Sequence, residues 1–158
     1  MRWVVRAPST RMKDMAETAT DIITIDAPPD RVWEVAVDLK SYPIWAHDIK
    51  DVSIRATDAD GRPLEVEFRA SALGRSTHYT LKYDYTNAPK ELGWSMLSGD
   101  IQRAIDGTFG FEATPEGRTI VHYNLVIDLA VPLPGFIKRR AEVRILKTVR
   151  ELKVRAEA

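Results

Sequence analysis

Histidine is the usual source of acid–base and metal chemistry near neutral pH, and this chain of 158 residues holds three: His47, His78 and His122. His78 and His122 fall on the polar parity of strand-like segments, so they read as solvent-facing. His47 stands beside Asp48, but adjacent positions on a helix point apart, so the two make no orienting dyad. A metal site needs convergent ligands. The sequence offers none, and it has no cysteine. A glycine-rich phosphate loop, a His-Glu zinc motif and a nucleophile elbow are missing too. No metal and no cofactor is expected.

Two polar residue types remain. Arg103 shares the parity of Ile105 and Phe109. It either points inward near the start of its strand, where a guanidinium could hold a carboxylate, enolate or phenolate oxygen, or lies at the sheet end and reaches water, the ordinary outcome. The tyrosines are the other type. Tyr79, Tyr83 and Tyr85 recur at every second or fourth position of one segment, with Tyr123 and Trp94 elsewhere on apolar parities. Buried tyrosines bring hydroxyls that need partners, so these rings either line a small-molecule cavity or snorkel at the sheet rim.

The elements that would position them follow from periodicity and punctuation. The β-branched run from Ala19 to Asp26 reads as a strand and stops at Pro28-Pro29, which suits the first turn of a helix. Val32, Trp33, Val35, Ala36 and Leu39 then recur at helical spacing, predicting a short helix over about 29–38. Pro43 opens a second, running to about His47. Segments 49–57, 63–73, 76–86, 91–98, 102–114 and 118–131 read as strands, divided by breaks rich in Gly, Pro, Asn and Asp. After Pro132-Leu133-Pro134-Gly135 the period turns helical, from Phe136 to about Ala156. Ile137, Ala141, Ile145, Thr148, Val149 and Leu152 form its apolar stripe.

No βαβ alternation exists, which argues against a doubly wound parallel sheet. A seven-stranded antiparallel sheet needs one face covered, and only the last helix, about 30 Å long, can cover it. The sheet must curl around that helix. The inward sets are then Leu64, Val66, Phe68 and Ala70; Tyr79, Leu81, Tyr83 and Tyr85; and Leu92, Trp94 and Met96. Ile105, Phe109 and Phe111 follow, then Val121, Tyr123, Leu125, Ile127 and Leu129.

Composition narrows the partners. Basic and acidic residues balance at 23 each, so global charge gives no support for nucleic-acid binding. No apolar run approaches the roughly 20 residues that span a bilayer. The first fifteen residues hold only Trp3, Val4 and Val5 as an apolar core, short of the roughly 7–15 residues of a secretory signal. Residues 1–16 read as a flexible basic extension, or as an arm for a membrane or partner. Met15, Met12 and Met1 all remain candidate starts. A chain without cysteine fits a reducing compartment, and the cytoplasm is expected. The last helix carries eight basic residues against three acidic ones. That is a solvated face in the ordinary case, or else a transient contact with anionic lipid.

The stretch Ile25-Asp26-Ala27-Pro28-Pro29-Asp30-Arg31-Val32-Trp33-Glu34-Val35, followed by Asp38-Leu39-Lys40-Ser41-Tyr42-Pro43-Ile44-Trp45, resembles the opening of the polyketide cyclase/dehydrase and START-like (SRPBCC) superfamily. Coenzyme-Q-binding START proteins are the branch nearest in feel. The closing stretch from Leu146 to Glu157 is similar to that family's final helix. The resemblance covers about residues 18–157 and implies an α+β helix-grip fold of the START/Bet v 1 type, with 17–158 as the ligand-binding domain. For reaction it is weak, because this fold hosts carriers, receptors and enzymes.

The expected function is binding or transport of a hydrophobic small molecule (a polyketide, an isoprenoid quinone or a lipid) in an internal cavity. The alternative is a polyketide aromatase/cyclase-dehydrase that orients its substrate and assists proton transfer, with Arg103 and Tyr123 as its polar actors. A chaperone-like or regulatory domain is a third reading, and it requires a solid core. The expected lining is Trp45, Phe68, Tyr79, Leu81, Tyr83 and Trp94, joined by Met96, Phe109, Phe111 and Tyr123, with Ile145 and Val149 from the last helix.

Overall fold

A computed structural model describes the backbone of residues 2–5, 17–72, 74–130 and 135–158, and the side chains of 18–71, 74–130 and 146–158. The strand predicted near the start, β2 (Glu17–Ile25), ends where two prolines remove ladder donors. Pro29 then opens α1 (Pro29–Val37), which buries Val32, Val35 and Ala36. A single tight turn, Leu39–Ser41, leads into α2 (Tyr42–Trp45), one turn long and closed at Trp45 rather than His47. The meander follows as β3 (Ile49–Thr57), β4 (Pro63–Ala72), β5 (Arg75–Asp84), β6 (Glu91–Gly99), β7 (Gln102–Ala113) and β8 (Thr119–Leu129), and α3 (Gly135–Glu157) closes the chain.

All seven expected strands are present, and every neighbouring pair is antiparallel. An eighth, β1 (Arg2–Val5), lies against β2, so the sheet runs β1-β2-β8-β7-β6-β5-β4-β3. Four residues of the expected loose extension are therefore paired strand. Residues 6–16 lie outside the described residues.

The sheet curls around α3, whose second half buries Leu146, Val149, Leu152 and Ala156 and packs against β2, α1 and α2. Of the expected stripe, Val149 and Leu152 are buried and Thr148 is half-buried. Ile137, Ala141 and Ile145 belong to the part of the helix whose side chains lie outside the described residues. Polar contacts fix the last turn. Lys153 Nζ donates to the Thr24 carbonyl at 2.9 Å and to Glu157 at 2.6 Å, and Glu157 accepts the Asp26 N–H at 2.7 Å. These donors hold the Glu157 carboxyl below the usual carboxylate range. Among the described residues no helix is long and apolar enough to cross a membrane.

Candidate functional site

Strand alternation sends one face of the sheet inward, and aromatic rings stand there among aliphatic side chains. On β6 and β7, Trp94 meets Phe109 at 5.1 Å between ring centres, and Tyr83 and Tyr123 at 6.2 Å each. Phe109 stacks on Tyr123 at 5.0 Å and reaches Phe111 at 6.1 Å. Trp33 of α1 stands edge-on to Phe111 and Tyr85 and closes that end. A second group joins Trp45, Tyr42, Phe68 and Tyr79 near the other end of the sheet.

The structure thus brings Trp45, Phe68, Leu81, Tyr83, Trp94, Phe109, Phe111 and Tyr123 into one buried set, with Tyr79 and Met96 half-buried against it. Val149 is wholly buried and belongs to the packed seam of α3. The side chain of Ile145 lies outside the described residues.

The phenols divide into two classes. Tyr42 donates to the Ala36 carbonyl at 2.6 Å, and Tyr85 donates to the Pro63 carbonyl. Both are satisfied by backbone. The hydroxyls of Tyr79, Tyr83 and Tyr123 bond to no protein group among the described residues. A buried hydroxyl without a partner is costly, so three on one concave face mark a place where something else can meet them. Burial, with smaller contributions from Asp48 at Tyr79 and from neighbouring phenols at Tyr83 and Tyr123, pushes all three above the ordinary tyrosine value. They remain O–H donors at physiological pH and cannot serve as tyrosinate bases.

Arg103 does not point inward. The pairing of β7 with β8 shifts register between Gln102 and Ala104, and this bulge breaks the alternation on which the inward option rested. The Arg103 side chain is 48% exposed and reaches Asp128 at 3.3 Å and the Leu129 carbonyl at 3.2 Å on the outside of the sheet. It leaves the list of polar actors.

Three inward polar residues take its place, none of them singled out from the sequence. Asp21 is buried on β2, directly opposite Tyr123 in register. Its position on the parity of Ala19, Ile23 and Ile25 was a usable signal. Thr77 is buried two residues before Tyr79 on the same face, and Gln102 is buried by the bulge. The sequence carries no sign of that bulge. A fourth buried polar group, Thr119, donates to the Ala27 carbonyl at 2.8 Å and is structural.

The histidines are elsewhere. His78 lies 3.3 Å from Asp100 and His122 3.0 Å from Glu112, both on the outer face. His47 is exposed and contacts Glu151 of α3 through its ring, while its backbone N–H reaches the same carboxylate at 3.1 Å. Among the described residues no group of side chains could hold a metal ion.

Residues 15–157 match the family described as polyketide cyclase / dehydrase and lipid transport. The chain belongs to that family. Its fold is the helix-grip fold, as three solved structures illustrate. A START superfamily protein from Mycobacterium smegmatis superposes with a TM-score of 0.80 at 20% identity, over 89% of this chain and 97% of that one. The Zhui aromatase/cyclase from Streptomyces sp. R1128 gives 0.76 at 16% identity, over 90% and 94%. A protein from Thermus thermophilus gives 0.74 at 19%, over 88% and 96%. At these identities the likeness is one of architecture. No curated protein matches the chain by sequence. Within the polyketide cyclase/dehydrase and lipid-transport family, then, the identity of this protein's ligand has to be argued from its own inward residues.

Proposed function

We propose that this family member binds and carries a hydrophobic small molecule (a polyketide, an isoprenoid quinone or a lipid) between the aromatic face of its sheet and α3. The observation that carries the reading is the trio of inward hydroxyls on Tyr79, Tyr83 and Tyr123, without protein partners among the described residues. Magnitudes assign the roles. A bicyclic ring system burying roughly 200 Å² of apolar surface gains about 5 kcal/mol. Each neutral hydrogen bond adds only about 0.5–1.5 kcal/mol. Ring walls therefore supply affinity, and hydroxyls supply orientation.

Protein purified without unfolding is expected to show a bound apolar mass in native mass spectrometry, or saturable tryptophan quenching by quinones and lipids. A protein that carries nothing and binds none of them sinks the reading. As a carrier it would work in the cytoplasm and touch anionic membranes transiently through the basic face of α3, where Lys147 and Arg150 are exposed. Vesicle binding that weakens with salt reports that contact.

One observation favours the cyclase/dehydrase alternative: Asp21 and Tyr123 stand opposite each other inside the sheet. A carboxylate there can take a proton beside a ketone while the phenol donates to the developing enolate oxygen. Turnover of a poly-β-ketone surrogate is expected to fall in Asp21→Asn and Tyr123→Phe and to persist in Arg103→Ala. Unchanged turnover in the first two removes this pair from any mechanism.

A further inference from the structure

The bulge that expels Arg103 draws Gln102 in. Only 7% of Gln102 is exposed, and a buried carboxamide is costly unless its groups are bonded. Its Oε1 accepts the Ile101 N–H at 3.3 Å, and its Nε2 donates to Thr77 Oγ1 at 3.2 Å. Thr77 is itself only 1% exposed. A carboxamide nitrogen carries two N–H donors. Thr77 takes one, and the other has no acceptor among the described residues. Gly99 makes the room: a Cβ there would lie 2.8 Å from the Gln102 Oε1 and 3.0 Å from the Met96 sulfur.

The place of this amide in the interior gives it a direction. Tyr79 pairs with Gly99 and shares a face with Thr77, so Gln102, Thr77 and Tyr79 stand at the end of the sheet nearest the β4–β5 and β6–β7 turns. The opposite end is closed by Trp33 against Phe111 and Tyr85, whose hydroxyl is spent on Pro63. One end offers uncharged donors; the other offers rings.

We propose that Gln102 is the ligand-reading residue of this interior: its second N–H donates to an uncharged oxygen acceptor, a ketone or quinone carbonyl, and fixes which way round an apolar ligand lies. The inference rests on the ligand-binding reading above. The acceptor is uncharged because the buried polar residues described, Asp21, Thr77, Gln102 and Thr119, include no cation. A carboxylate brought inside would face a desolvation cost of several kcal/mol with no partner to offset it. If the Thr77–Gln102 pair served only to tie β5 to β7, its loss would weaken the fold and leave ligand preference untouched.

The test compares menadione, a naphthoquinone, with methylnaphthalene, which has the same rings and no carbonyl. Both are titrated by tryptophan emission, and the protein has no cysteine for the quinone to alkylate. In Gln102→Leu, menadione affinity is expected to fall about tenfold, the worth of one hydrogen bond left unmade. Methylnaphthalene affinity stays within about twofold. Should that variant fail to fold, nitrogen-15 spectra of the unaltered protein decide: menadione moves the Gln102 side-chain amide resonance and methylnaphthalene leaves it in place. Equal effects of the two probes, in either experiment, overturn the proposal. If neither probe binds the unaltered protein, the ligand-binding reading fails and takes this one with it.

Discussion

Gly107→Ala is expected to lower the thermal midpoint by roughly 2–12 °C, the equivalent of about 1–3 kcal/mol, and to shift the emission of Trp94. Gly107 lies in the middle of β7, paired on one side with Trp94 and on the other with Leu125. The indole of Trp94 covers the space a side chain would fill. A Cβ on residue 107 would come within 2.5 Å of Trp94 Cζ2, 2.6 Å of its Cε2 and 2.7 Å of the Asn124 carbonyl oxygen. The indole could swing away, but the carbonyl belongs to the backbone of β8, and an interior packed like a crystal has little slack. Displacing Trp94 would also disturb its contacts with Phe109, Tyr83 and Tyr123. Gly110, three residues on in the same strand, is the control. A Cβ there meets His122 at 3.6 Å, an ordinary contact, so Gly110→Ala should change stability by less than about 0.5 kcal/mol. If the two variants melt alike, Trp94 does not occupy the slot described.

How far the sequence revealed this arrangement depended on whether a residue obeyed its local period. Phe109, Phe111, Tyr123 and Leu125 read as inward because β7 and β8 alternate cleanly over those rows, and all four are buried. Gln102 and Arg103 were beyond reach because one extra residue in β7 reverses the parity, and no glycine or proline marks that spot. Gly107 carries a signal of its own: glycine inside a strand often marks close approach of another group. Asp21 was legible in the same way, as a carboxylate on the apolar parity of β2. On α3 the difficulty was different. Positions three and four residues before Val149 both lie near its face, so helical spacing alone did not bring Leu146 forward, and it is wholly buried. The strand β1 has β-prone Trp3, Val4 and Val5, but four residues carry too little pattern to separate an edge strand from a tail.

Regular alternation builds the greasy wall. Irregularities supply its polar and shape-specific points: the bulge that delivers Gln102, the glycine that admits Trp94 and the carboxylate opposite Tyr123. Selectivity among apolar ligands therefore has to be sought at the exceptions to period-two alternation, since the aromatic wall alone would accept any ring system of suitable size.

Raising the pH provides the broadest check on that interior, because all five tyrosines have elevated pKa values. Burial is the main cause in each. Tyr85, the least enclosed, is pushed up to about 12 by burial and the Asp58 carboxylate, with Arg62 pulling the other way. The other four lie higher. A raised phenol pKa favours the neutral form in the folded chain, so its contribution to stability is fully present below the ordinary value of 10.0. Above that value the unfolded chain releases protons that the folded chain retains, and stability falls as pH rises toward the folded-state value. Each retained proton is worth about 1.4 kcal/mol per pH unit, and four together cost roughly 5 kcal/mol per unit. Against a total of about 5–15 kcal/mol, the fold should open within one to three units above pH 10. Tyrosinate absorbance is therefore expected to stay flat through pH 10 and then rise in one cooperative step, coincident with loss of the far-ultraviolet circular dichroism. A phenol that titrates near pH 10 while the dichroism is still native would show that at least one of these rings faces water, and with it the enclosed interior on which ligand binding depends would be lost.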